Sequence, residues 1–235
     1  MEIKNLTEDE GSNRIVGLIV GESGIGKTTL AGTLKGKTLI ASAESGLICL
    51  KKFPLEIRKN IDFVEIKSIK DFHDFYELIN KEENKEKYDN LFVDSLTEIG
   101  EVILADLKKD PKMTDNFKLY GRLAEIFSWF VKMLRDIKPY NVWITCLNSY
   151  EKNGVEMVEE FNFPGGKGKE NLKGWLDLVL KYQVFKDDKG ESHRKLISSV
   201  EVNRLAKDRS GMLNSYENAD LSAITNKILG VSNGK

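Results

Sequence analysis

The chain has 235 residues, 40% of them hydrophobic and 31% charged, a balance that suits one soluble globular domain able to bury a sizeable core. Its formal net charge is -1 and its pI about 6.2, which excludes a protein that coats nucleic acid by overall charge and leaves only a local patch for such contact. No stretch is long enough to span a membrane, and residues 1–12 form a polar lead-in without an apolar signal core, so the default location is the cytoplasm.

After that lead-in, RIVGLIV (14–20) is a continuous β-rich run of the kind found in buried parallel strands. It leads directly into GESGIGKTTLAGTLKG, where Leu30 and Leu34 lie one helical turn apart and Gly36 is placed to close the helix. KTLIASAE (37–44) predicts a second buried strand and IDFVEI (61–66) a third. Ser68 can cap the next helix, whose apolar stripe is Ile69, Phe72, Tyr76 and Ile79. KEENKEKYDN reads as a solvated charge run, and NLFVDSL (90–96) as a fourth strand. Leu96, Ile99, Ile103 and Leu107 mark another helix, broken by Pro111. A long helix over 117–137 follows, with Leu123, Ile126, Phe127, Phe130, Leu134 and Ile137 facing the core. Pro139 ends it, and YNVWITCLN is a fifth strand. Strand and helix thus alternate through the first 148 residues, which argues for a mainly parallel sheet flanked by helices.

The last third differs. Asn153-Gly154 is a hairpin-type turn, and LDLVLKYQVF and HRKLISSVEV alternate like antiparallel strands. PGGKGKENLKG (164–174) reads as a glycine- and lysine-rich loop. Asp220 can cap a final helix containing Leu221, Ile224 and Ile228. One α/β domain over 13–230 and a tail at 231–235 account for the chain. Cys49 and Cys146, each among apolar residues, read as buried thiols, and His73 and His193 are too far apart in sequence for a zinc cluster at the usual spacings.

The strongest motif is GESGIGKT, which meets G-x-x-x-x-G-K-[ST] in full at Gly21, Gly26, Lys27 and Thr28. Glycines let backbone N–H groups approach phosphate oxygens with no Cβ in the way, and a helix starting there adds the partial positive charge of its N-terminus. The loop Gly21, Glu22, Ser23, Gly24, Ile25, Gly26, Lys27, Thr28 and Thr29 is therefore the expected phosphate cradle. Lys27 would reach the β- and γ-phosphates and the Thr28 hydroxyl would coordinate Mg2+. Such a site also needs a carboxylate at a neighbouring strand end. Asp94, preceded by an apolar run, is the candidate, with Ser95 placed to share a water.

These residues together resemble the RecA/RadA superfamily of P-loop ATPases, most closely the short RecA-like proteins of bacteriophages, some linked to single-strand annealing and recombination. The resemblance spans roughly residues 14–211. LIASAESGL is similar to the strand that in those proteins ends in the catalytic glutamate, which puts Glu44 in that place. LFVDSLTEI carries the Asp-Ser pair of their magnesium-binding strand. WITCLNS puts Asn148 where they carry a polar γ-phosphate sensor. PGGKGKENLKGWLDLVLKY resembles their DNA-binding loop and following strand, and Lys207-x-Arg209 in AKDRSG resembles a pair that reaches a neighbouring subunit's γ-phosphate. The chain departs from the pattern in having no long N-terminal domain or polymerisation segment.

The resemblance implies a RecA-like P-loop core with C-terminal antiparallel strands that binds ATP and Mg2+ and hydrolyses ATP with single-stranded DNA, in the host cytoplasm if phage-encoded. In that scheme Glu44 is the base, or else a surface glutamate at a strand end. Asn148 orients the water, or is a turn asparagine. Lys207 and Arg209 act in trans within a homo-oligomer, or form a solvated basic stretch around Asp208 near Arg204. Lys167, Lys169 and Lys173 would meet DNA phosphates, with Tyr150, Phe161, Phe163 and Trp175 stacking bases, unless those aromatics dock into the core. Two other readings stand beside it. One is an ATP-controlled assembly protein with slow turnover and no DNA role. The other is a P-loop small-molecule kinase, disfavoured because such kinases usually have an Arg-rich lid over the site, whereas here Lys207-x-Arg209 lies on a C-terminal strand.

Overall fold

The computed structural model describes residues 13–44, 46–113, 115–164 and 169–230, with side chains for all of these except 169 and 170. One ten-stranded sheet organises them, in the order β10-β8-β7-β1-β5-β4-β2-β3, with β6 added to β5 and β9 to β7. The six strands β7-β1-β5-β4-β2-β3 run parallel: β1 (Val16–Val20), β2 (Thr38–Ser42), β3 (Ile61–Glu65), β4 (Asn90–Asp94), β5 (Asn141–Asn153) and β7 (Leu178–Lys186). The strands β6 (Glu156–Asn162), β8 (Ser192–Ile197), β9 (Lys207–Asp208) and β10 (Tyr216–Asn218) are antiparallel to their neighbours. This is the mainly parallel α/β sheet with C-terminal antiparallel strands that the sequence predicts.

Alternation along the central strands splits the core in two. Val16, Leu18 and Val20 of β1 face one side, with Val142 and Ile144 of β5. That side is covered by α2 (Ile69–Asn80), α4 (Leu96–Leu107), α5 (Asn116–Asp136) and α6 (Lys169–Trp175). Ile15 and Ile19 face the other way, with Phe92 and Trp143. There they meet two short 3-10 helices, Thr28–Thr33 and Leu47–Lys52, and α7 (Leu221–Leu229). The expected caps form: Ser68 accepts from the Asp71 N–H and Asp220 from the Ala223 N–H.

Several local expectations are corrected. The segment after the glycine-rich motif is a six-residue 3-10 helix, not an α-helix, and Gly36 lies beyond it in the turn into β2. The charge run contains a helix, α3 (Glu82–Lys87), whose Asn84 is buried and donates to the Leu78 carbonyl. The short α1 (Leu55–Arg58) also had no clear sequence signal. On α2 the buried face is Phe72, Phe75 and Ile79, while Tyr76 turns outward. In the stretch 164–174, residues 165–168, with Lys167, lie outside the described residues, but 169–174 belong to α6, anchored by buried Leu172. The lead-in 1–12 and the tail 231–235 lie outside them too.

Candidate active site

The carboxyl ends of five parallel strands meet at one edge of the sheet. Val20 of β1 is level with Cys146 of β5 and Lys181 of β7, and Ser42 of β2 with Asp94 of β4. Strand β1 is followed in sequence by β2 but lies beside β5 and β7, so the chain must cross over there and leave a crevice. A cavity of about 850 Å³ occupies it, within the usual size of a small-molecule site. Its lining runs from Ser23 to Leu30 and includes Glu44, Asp94, Glu98, Tyr182 and Arg194.

The loop closing β1 turns through Gly24 at φ 74° and Gly26 at φ 104°, a left-handed backbone that side chains with a Cβ rarely adopt. Lys27 is buried, and its ammonium donates to the carbonyls of Gly21 (2.9 Å) and Glu22 (2.8 Å). Burial pushes its pKa down, while Asp94 and Glu44 pull it back up. Across from it Asp94, only 2% exposed, accepts from the Thr28 hydroxyl at 2.6 Å and from the Thr145 hydroxyl at 2.5 Å. Burial raises the Asp94 pKa despite those two donors, with Glu44 adding to the rise.

This donor set fits the groups the motif implies. A hydroxyl and a carboxylate held 2.6 Å apart on the cavity wall are hard oxygen ligands suited to Mg2+. The loop amides and Lys27 suit a polyphosphate. A helix-end contribution is not available, because the following helix is a short 3-10 turn.

Glu44 lines the same cavity, and one of its carboxylate oxygens accepts from the Ser95 hydroxyl at 2.7 Å. Ser95 also caps α4 by accepting the Glu98 N–H. Glu98, which sequence reasoning missed, faces the cavity too, its pKa raised by burial and then by Glu44 and Glu101. Arg194 was missed as well. It comes from β8 and donates through Nε to the Ile25 carbonyl at 3.1 Å. Neither residue belongs to a motif; an alternating strand carrying an outward arginine was the only signal.

Other candidates lie elsewhere. Asn148 does not line this cavity. It donates to Glu159 at 2.6 Å, within a buried group that also joins Glu159 to Lys181 and Asn203. Lys207 and Arg209 sit at the opposite edge of the sheet, where β9 pairs with the first residues of β7. Lys207 donates to the carbonyls of Lys173 and Leu176, and Arg209 to the Gly174 carbonyl and Asp177. They close the end of α6 and do not enter the cavity of their own chain.

The aromatic flanks proposed for base stacking are mostly core. Phe161 and Phe163 are buried, and Phe163 stacks on Phe127 at 4.2 Å. Trp175 packs against the core under the Lys132 ammonium. Only Tyr150 is well exposed, and Lys173 is tied to the Arg204 carbonyl. Cys146 is buried as expected, while Cys49 is half-buried on the cavity wall. At the β7–β8 turn Asp187, Glu191 and His193 bring one ligand atom each within 4.8 Å of the others, a grouping that histidine spacing did not reveal. Asp187 there already accepts from the Lys189 and Glu191 N–H groups and contacts His193. No helix among the described residues is long and apolar enough to cross a membrane.

Comparison with known proteins agrees with this geometry. A family profile described as an AAA domain matches residues 13–210. No curated protein matches the chain. Among solved structures, the flagellar accessory protein FlaH of Methanocaldococcus jannaschii is similar at 12% identity, with 82% of this chain and 84% of that one covered and a TM-score of 0.40. That likeness is too distant to bear on fold or activity.

Proposed function

Because the chain belongs to the AAA domain family, a nucleotide-binding P-loop fold, we propose that it is a Mg2+-dependent ATPase. The observation that carries the reading is the Thr28–Asp94 hydrogen bond facing buried Lys27 across the cavity. Mg2+, held by Thr28 and Asp94, would neutralise charge on the β- and γ-phosphates. The loop amides and Lys27 hold the phosphates, Lys27 exchanging its two carbonyl partners for phosphate oxygens. Glu44 takes a proton from the water whose oxygen attacks the γ-phosphorus, and the bond from that phosphorus to the β,γ-bridging oxygen breaks. Ser95 fixes one Glu44 oxygen, and the other takes no hydrogen bond among the described residues.

Phosphate release from ATP and Mg2+ tests this directly. Glu44→Gln should retain ATP binding and lose about 10²- to 10⁴-fold in turnover. Unchanged turnover would remove Glu44 from the mechanism, and no ATP uptake by folded wild-type protein would end the proposal.

Lys207 and Arg209 can serve this site only from a neighbouring subunit, since their own chain holds them at the far edge of the sheet. Asn148 can influence it only through Glu159 and Lys181, whose backbone lies level with Val20. A role with single-stranded DNA rests on the resemblance and on exposed Tyr150, now without Phe161 and Phe163. Stimulation of turnover by single-stranded DNA would support it; ATP binding with altered oligomer size and no stimulation would favour the assembly reading.

A further inference from the structure

The acids of the cavity and its arginine lie on opposite sides of β1, and the strand order explains why. Asp94, Glu44 and Glu98 come from β4, from the end of β2 and from α4, all on one side of β1. Tyr182, Arg194 and Ala219 come from β7, from β8 and from the junction of β10 with α7, all on the other side. Between β4 and β8 lie four strand spacings, about 19 Å, which gives an extended nucleotide room to lie across β1. A nucleotide laid that way, with its reacting phosphate beside Asp94 and Glu44, would direct its nucleoside end toward β7 and β8.

At that end one cation is left over. Arg194 spends one of its five N–H donors on the Ile25 carbonyl, and its remaining nitrogens have no hydrogen-bond or ion-pair partner among the described residues. Its Nε lies 3.9 Å from where a Cβ on Gly26 would stand, beside the Thr29 side chain, so it overhangs the glycine-rich loop at Gly26. Held by one edge, the guanidinium offers a flat, weakly hydrated, charged face on a cavity wall that also includes Thr29, Thr33, Tyr182 and Ala219. Besides pairing with anions, a guanidinium stacks on a flat π-face.

We propose that Arg194 is the nucleobase contact of this site, its guanidinium stacking on the purine ring of the bound triphosphate. This deepens, and rests on, the triphosphate reading above. Because a guanidinium stacks more strongly on the larger π-face, Arg194 favours purine over pyrimidine nucleotides.

The test uses the full chain and calorimetry with two probes, a non-hydrolysable ATP analogue with Mg2+ and Mg2+-tripolyphosphate, which carries no base. Arg194→Ala should weaken the analogue about tenfold and leave tripolyphosphate unchanged. Arg194→Lys, which keeps the charge but not the plane, should behave the same way; Arg194 is exposed, so both variants are expected to fold, as thermal melting will check. Equal loss for both probes would overturn the proposal by assigning Arg194 to shaping the loop through Ile25. Full recovery with lysine, or no loss of the analogue in either variant, would overturn it as well. Wild-type protein that takes up neither probe would instead sink the triphosphate reading itself.

Discussion

The two edges of the parallel sheet use the same side chains to opposite ends. At the carboxyl edge, among the described residues, Lys27 bonds only to its own loop, Asp94 is a buried carboxylate with no cation bonded to it, and Arg194 has unused donors, all facing a cavity. At the amino edge of β7, Lys207 and Arg209 are spent on the carbonyls that end α6 and on Asp177. Cations near glycines occur at both edges. What separates them is whether the protein supplies the acceptors. A cation whose acceptors are built in holds the fold together, and one facing an opening is available to a ligand.

The largest effect should come from Lys27. Lys27→Ala should lower ATP turnover by about 10²- to 10³-fold, as loss of a single oriented donor to phosphate does, while circular dichroism stays native. A variant that still turned over normally would dissolve the distinction between the two edges.

Lys207→Ala sharpens it from the other side. Removing this ammonium leaves the Lys173 and Leu176 carbonyls short of a donor, an expected loss of about 1–3 kcal/mol in chemical denaturation. Arg209→Ala, whose partners are more exposed, should cost less stability. If the pair also acts in trans, Arg209→Ala will bind ATP but barely hydrolyse it, and mixing with Lys27→Ala subunits will restore turnover. Normal turnover with lowered stability would confine both residues to the helix end.

The smallest effect is a gain. Burial raises the Asp94 pKa above its ordinary 3.8, so the folded state disfavours the ionised form. The stability tied to that shift is present below pH 3.8 and is lost as pH rises through the folded value. Asp94→Asn should therefore melt higher than wild type without nucleotide at neutral pH, by about 2–4 °C for each kcal/mol gained. The advantage should shrink as pH falls toward 3.8, and the same variant should lose its Mg2+ dependence of nucleotide binding. A variant that melts lower at neutral pH would show that the Thr28 and Thr145 hydrogen bonds outweigh the buried charge.

Local pattern carried the central strands and the long helices. RIVGLIV, NLFVDSL and the stripe along α5 bury enough apolar surface to fix their elements whatever surrounds them. The phosphate loop was readable because its contacts lie within a few residues of chain. The short α3 was not, because its charged surface hides the one buried residue, Asn84, that anchors it. The fate of Phe161 and Phe163 was undecided, since an aromatic beside a glycine-rich stretch can stack on a base or on Phe127 equally well until the packing is known.

Sequence alone thus determined a mainly parallel α/β sheet and singled out the loop Gly21–Thr28 and Asp94 as candidates, since each depends on short-range periodicity or spacing. Tertiary structure decided the rest. The strand order brings Arg194 within 3.1 Å of Ile25 across 169 residues of chain, sets Ser95 against Glu44, and carries Lys207 and Arg209 to the far edge. Contacts of that range are fixed by which strands become neighbours, and no local pattern of residues encodes that.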